Sequence, residues 1–154
     1  MQQSVSRTRN AAAQRLLALR EMGNRAASGK RADNDVVLYS LCPPGEDPQD
    51  RLAQAQGFAV AHHLLVRERH FDIGEAGAAA PRWAWARAKS ALLSGRAGGL
   101  VVSTRADVST LDEVYETELR WFHHHCLSLW LVRPESGVLL PTAPPAQDMR
   151  RNAD

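Results

Sequence analysis

Four apolar, β-branched segments alternate with helical patterns along the sequence, and this alternation constrains the fold more than any other feature. The predicted strands are residues 35–40, 64–73, 99–104 and 127–132. Helical spacing of apolar residues predicts three intervening helices, over 47–62, 82–94 and 110–126. Strands joined by helices of this length form parallel sheets with right-handed crossovers. We therefore expect a three-layer αβα domain with a mainly parallel sheet of four to five strands and flavodoxin-like topology.

Local signals refine these elements. Asp47 followed by Pro48 is typical of a helix start, and Thr110 with Glu113 predicts a capping box for the third helix. The second strand is the most polar, so we expect it near an edge of the sheet. A turn at Ser136-Gly137 would lead into a short fifth strand, Val138–Leu140.

Composition and charge divide the chain into three parts. Residues 1–33 form a basic, partly helical or disordered arm, with a short helix over 11–22 and a break at 23–29. Residues 34–140 form the α/β domain, and residues 141–154 a Pro-rich, flexible tail. The arm has seven basic and two acidic residues, a net charge of +5, while the domain has ten basic and thirteen acidic residues, a net charge of −3.

A basic arm before a mildly acidic domain is an arrangement that suits contact with nucleic acid. The alternative is an ordinary solvated, arginine-rich leader. The candidate DNA-binding residues are Arg7, Arg9, Arg15, Arg20, Arg25, Lys30 and Arg31.

Several classes of protein are disfavoured by the sequence. No apolar run approaches the ~18–20 residues that a membrane-spanning helix needs. The N-terminus lacks the pattern of a signal peptide, so we expect a cytoplasmic protein. Two cysteines, Cys42 and Cys126, are too few for a disulfide scaffold.

The domain resembles the N-terminal catalytic domain of serine recombinases, the resolvase and invertase family. That family opens with a strand leading to Tyr-x-Arg-Val-Ser, whose serine is the nucleophile, and here the segment is Val36–Pro43. A small-residue loop, a proline and a Leu-Leu helix follow, as in Gly74–Ala80, Pro81 and Leu92-Leu93. The family's Asp-Arg-Leu-Ser-Arg motif corresponds to 106–110. The resemblance covers about 100 of the 154 residues and implies a resolvase-like fold.

The family's catalytic residues are replaced. Pro43 stands at the position of the nucleophilic serine, and Leu41, Ala80, Asp107 and Thr110 stand at positions of arginines. We expect Asp107 to repel a phosphate at this place. The predicted vestigial active-site edge consists of Ser40, Leu41, Pro43, Ala80, Ala106, Asp107 and Ser109.

The resemblance thus implies a non-catalytic relative without a cofactor: a DNA-associated protein, or a regulatory module that binds a second copy or a recombinase-family partner. The alternative is a small flavodoxin-like enzyme or nucleotide-binding module that uses the carboxyl edge of the sheet. A third possibility is a folded gene remnant. His123, His124 and His125 do not predict a metal site, because adjacent helical residues point about 100° apart.

Overall fold

The predicted strands and helices assemble around one parallel sheet. A computed structural model describes residues 2–30, 34–77 and 80–136 of the chain. The elements are α1 (Gln2–Lys30), β1 (Asp35–Cys42), α2 (Pro48–Ala61), β2 (Leu65–Ile73), α3 (Trp83–Leu93), β3 (Gly99–Val102), α4 (Asp112–His124) and β4 (Ser128–Leu131), with a 3-10 turn at Arg105–Asp107 before α4. The three-layer αβα fold is confirmed.

The sheet has the strand order β2-β1-β3-β4, and every neighbouring pair is parallel. Residues 36–42 of β1 are all buried, whereas β2 alternates between exposed and half-buried side chains. The polar second strand therefore lies at an edge, as its composition predicts. The predicted strand Val138–Leu140 and the tail after it lie outside the described residues.

Each face of the sheet carries its own apolar core. On one face, α2 packs against the alternate strand residues Val36, Leu38 and Val101. On the other face lies a larger core to which α1, α3 and α4 all contribute. Its largest fully buried members include Leu16, Tyr39, Leu92, Leu100 and Tyr115. The sheet is thus covered by one helix on one side and by three on the other.

The N-terminal helix is longer than its sequence predicts. α1 runs without interruption for 29 residues, so the prediction of a short helix with a break at 23–29 is wrong. Gly23 and Ala27 are buried, and a Cβ placed on Gly23 would lie only 3.6 Å from the Cβ of His123 in α4. Packing against α4 therefore outweighs the low helix propensity of glycine.

The start of α4 also differs from its prediction. The helix begins at Asp112, and its N-cap residue Leu111 makes no side-chain capping bond, so the capping box predicted at Thr110 and Glu113 is wrong. The capping box that forms lies a few residues earlier, in the 3-10 turn, between Thr104 and Asp107. A buried carboxylate thus fixes the loop after β3.

Candidate functional site

The predicted site residues gather at the carboxyl edge of the sheet. Parallel strands end at the same edge, so the loops after β1, β2 and β3 meet there. One cavity of about 210 Å³ is lined by Leu41, Ala80, Ala106 and Ser109. Pro43 follows directly after β1 and is half-buried. Ser40 lies within β1 and is 1% exposed.

The side chain of Asp107 points into the protein and not toward solvent at this edge. Its side chain is 1% exposed and accepts hydrogen bonds from the backbone N–H groups of Leu41 (2.8 Å), Ser103 (3.0 Å) and Thr104 (3.0 Å). Burial raises the pKa of this carboxyl, although the three N–H donors and the Arg51 charge act in the opposite direction. Asp107 therefore joins the ends of β1 and β3, and its predicted repulsion of a phosphate stays a prediction.

A second polar network ties α3 to the sheet. The carboxylate of Asp72 accepts the N–H groups of Ala84 (2.9 Å) and Trp85 (3.0 Å), which caps the start of α3. The same carboxylate accepts the hydroxyl proton of Tyr39 at 2.7 Å, and burial raises the pKa of that phenol. Tyr39 therefore stays protonated at neutral pH and acts as a structural donor.

Arg82 completes this network. Its guanidinium donates to the Tyr39 hydroxyl (2.9 Å), to the carbonyl of Val108 (2.8 Å) and to the carbonyl of Asp107. It also lies over the rings of Tyr39 and Trp85, at 5.2 and 4.9 Å from their centroids. With its donors used in this way, Arg82 serves to hold the loop after β3 against α3.

Of the three serines described at this edge, two are buried and the half-exposed third is hydrogen-bonded in a turn. Ser40 and Ser103 are 1% and 4% exposed, so a phosphodiester cannot reach their oxygens. The hydroxyl of Ser109 accepts the N–H of Leu111 at 3.0 Å and shapes the turn into α4. The serines at the carboxyl edge therefore serve as buried or turn-forming residues.

Two further arginines of the edge are paired with carboxylates, while the exposed Arg133 bonds the amide oxygen of Gln54 at 3.5 Å. Arg51 bonds Glu46 at 3.3 Å, and Arg105 bonds Asp112 at 2.6 Å. A second cavity, of about 570 Å³, lies beside the start of α2. Its charged lining residues are Glu46, Asp47, Asp50, Arg51 and Arg133. With three carboxylates against two guanidiniums, this cavity disfavours the phosphates of a nucleotide.

The predicted DNA-binding residues of α1 differ sharply in exposure. Arg20 is 8% exposed and bonds Glu135 at 2.7 Å, and Arg15 bonds Glu116 at 2.6 Å. Arg7, Arg9 and Arg25 are exposed. The side chain of Lys30 and the whole of Arg31 lie outside what the structure describes.

Metal sites and membrane-spanning helices are both absent from residues 2–30, 34–77 and 80–136. This part of the chain contains no group of three or more His, Cys, Asp or Glu residues that could hold a metal ion. Within the same part, no helix is both long and apolar enough to cross a lipid bilayer.

The sequence analysis did not predict the hydrogen-bond networks around Asp72, Arg82 and Asn24. A carboxylate at the end of β2 and an arginine after Pro81 are weak signals in sequence, because any helix start can carry such residues. Asn24 lies in the segment predicted to break α1, and its amide bonds both backbone groups of Leu129 at 2.8 Å. Only the packing of α1 beside β4 reveals that role.

Comparison with known proteins identifies the fold. No protein-family model matches the sequence, and no curated protein matches it. The structure is similar to the C-terminal catalytic domain of ISC1926 TnpA, an IS607-like serine recombinase, with 16% identity and a TM-score of 0.55 over 68% of this chain and 74% of that chain. It is similar to the N-terminal catalytic domain of TP901-1 integrase, with 16% identity and a TM-score of 0.56 over 78% and 98%. The first open reading frame of transposon ISC1904 from Sulfolobus solfataricus P2 matches at a TM-score of 0.47, with 15% identity over 75% and 87% of the two chains.

Proposed function

We propose, from the premise that this chain has the fold of a serine recombinase catalytic domain, that it is a resolvase-like protein that binds DNA without cutting it. The observation that carries this proposal is the state of the three serines at the carboxyl edge. Two of them are buried, and the third is engaged in the turn before α4. A strand-cleaving serine must bring its oxygen to the phosphorus of a DNA backbone. Burial prevents this for Ser40 and Ser103, and the half-exposed Ser109 hydroxyl is held by its bond to the Leu111 N–H.

The arginines of the edge support the same conclusion. A cleavage site also needs guanidinium groups that hold the phosphate and stabilise charge in the transition state. Arg82 is directed to backbone carbonyls and Tyr39, while Arg51 and Arg105 bond carboxylates. Binding a phosphate here would require these bonds to break first. Among the described residues, the edge thus holds its half-exposed serine in a turn and leaves Arg133 as an exposed arginine without a carboxylate partner, which is too little positive charge to hold and cleave a phosphodiester.

Contact with DNA is assigned to α1, where three arginines are exposed and make no salt bridge in the described part of the chain. Arg7 and Arg25 are 18 positions apart, an integral number of helical turns, so they share one face of the helix. Arg9 is exposed near the N-terminal end. Phosphate contacts of this kind give affinity that does not depend on sequence and that weakens steeply with salt.

The test combines a cleavage assay with a salt titration. Supercoiled plasmid incubated with the purified protein should remain intact, with no nicked or linear product. Duplex binding should weaken with salt, and the triple variant Arg7→Ala/Arg9→Ala/Arg25→Ala should flatten the slope of log K against log salt by about 0.9 for each lost phosphate contact.

Arg87→Ala provides the matched control, because Arg87 is an exposed arginine on α3. It should leave the slope unchanged. Nicked plasmid that disappears in Ser109→Ala would refute the absence of cleavage. A slope that is equal in the triple variant and the wild type would refute the assignment of DNA contact to α1.

A further inference from the structure

The N-terminal end of α1 extends past the start of α4, the helix on which it packs. Arg15 bonds Glu116, and Gly23 lies beside His123, so α1 and α4 run in the same direction. Because α4 begins at Asp112, that residue is level with about residue 11 of α1. The nine residues Gln2–Asn10 therefore project about 13 Å beyond the start of α4, at a rise of 1.5 Å per residue. We call residues 2–10 the overhang.

Residues 4–9 of the overhang have no packed face. Every side chain from Ser4 to Arg9 is exposed, including Val5 at 50%. Short helices in water depend on tertiary packing for most of their stability. The first turn also contains no acidic residue to offset the helix dipole, and the charged residues in Ser4–Asn10 are Arg7 and Arg9. A negatively charged surface laid against this segment would stabilise it.

Such a surface lies at the same edge of the molecule. The cavity of about 210 Å³ opens between the loop after β2 and the start of α4, and its rim includes Ile73 (55% exposed), Leu111 (61%) and Val114 (47%). We call this surface the edge groove. Two exposed carboxylates lie on or beside it, Glu75 in the loop after β2 and Glu113 in the first turn of α4. In the described part of the chain neither carboxylate makes an ion pair, and the groove is thus apolar with an acidic rim.

We propose that the overhang of one copy docks in the edge groove of a second copy. The arginines of the overhang are complementary in charge to the acidic rim of the groove. Its exposed Val5 is apolar, as are Leu111 and Val114 in the groove. Overhang and groove lie at the same end of each molecule, so two copies that meet end to end exchange both contacts about one two-fold axis. This contact is isologous and closed, which limits the assembly to a dimer.

This pairing goes beyond the proposed function and does not depend on it. It uses Arg7 and Arg9, which the proposed function assigns to DNA, so self-association and DNA binding compete for them. The competition makes the two proposals separable: one is measured without DNA, and the other in dilute protein with DNA.

The experiment is a charge swap followed by sedimentation velocity. Wild-type protein should shift from monomer to dimer as its concentration rises, more readily at low salt. Arg7→Glu/Arg9→Glu and Glu75→Lys/Glu113→Lys should each weaken the dimer by at least about tenfold, because both contacts become repulsive. An equimolar mixture of the two variants should form a heterodimer, because both contacts between unlike copies are attractive again.

Arg25→Glu is the matched control: it reverses an exposed arginine of the same helix outside the overhang and should leave the dimer intact. Equal unfolding midpoints for all variants show that the swaps act on association and not on folding. A wild type that stays monomeric at every concentration and salt overturns the proposal, as does a mixture that fails to pair. A monomeric wild type that still binds DNA through Arg7 and Arg9 would leave DNA as the partner of the overhang.

Discussion

The two ends of α1 have similar residues but different surroundings. One end packs on the domain, and the other lies in solvent. The stretch from Leu16 to Ala27 lies on α4 and β4, with Leu16, Arg20, Gly23 and Ala27 buried. The overhang from Gln2 to Asn10 has every described side chain except the half-buried Asn10 in solvent. One end completes the core of the domain, and the other end is available to a partner.

Arginine shows the difference most clearly. Arg20 donates to both oxygens of Glu135, at 2.7 and 3.1 Å, and to the carbonyl of Leu129 at 3.0 Å. Glu135 in turn accepts the hydroxyl of Tyr115 at 2.6 Å, and its side chain is 0% exposed. A net charge summed over the first 33 residues treats Arg20 and Arg7 alike, although only Arg7 can reach another molecule.

The packed end also protects an edge of the sheet. Edge strands leave backbone groups unpaired and invite pairing with other chains. The Asn24 amide satisfies both the N–H and the carbonyl of Leu129 in β4, as a neighbouring strand would. The folded domain therefore needs this part of α1, whereas it does not need the overhang.

The largest expected effect comes from breaking the buried ion pair. Arg20→Ala should lower the free energy of unfolding by about 3–5 kcal/mol, because it leaves the buried Glu135 carboxylate without its cationic partner. Denaturant titration followed by circular dichroism measures this loss. Arg25→Ala, which truncates an exposed arginine of the same helix, should change stability by less than about 0.5 kcal/mol. Equal losses in the two variants would remove the distinction between the ends of α1.

A smaller loss is expected at the sheet edge. Asn24→Ala should cost about 1–3 kcal/mol, because the Leu129 N–H loses its partner while the Leu129 carbonyl keeps Arg20. The exposed Gln14 in the same helix provides the control Gln14→Ala, which should be nearly neutral. Hydrogen exchange at the Leu129 amide should accelerate only in the Asn24 variant. An unchanged exchange rate of the Leu129 amide would show that Asn24 of α1 does not protect the backbone of β4.

The order of strands and helices was predictable because β-branched runs and helical spacing are local signals. β1 lies where Val36, Val37 and Leu38 predict it, and the polar segment forms the edge strand β2. The continuity of α1 was not predictable, since the contact of Gly23 with His123 joins residues 100 positions apart.

The sequence indicated which loops meet at the candidate site, but only part of how their side chains are oriented there. The loops that carry Leu41, Ala80 and Ser109 do meet at one edge, because parallel strands end together. The orientation of Asp107 was missed, since sequence does not show that three backbone N–H groups converge on its carboxylate. Side-chain direction in a loop depends on the loop's own hydrogen bonds, which appear only once the fold is formed.

Hydrogen exchange along α1 in dilute protein tests the account most directly. Amides of residues 16–27 should exchange only through global unfolding, while amides of residues 6–10 exchange through local opening, at least about a hundredfold faster. Raising the protein concentration should slow exchange at residues 6–10 and leave residues 16–27 unchanged. Uniform protection along the whole helix in dilute protein, or rapid exchange throughout it, would contradict the division of α1 into a structural end and a binding end.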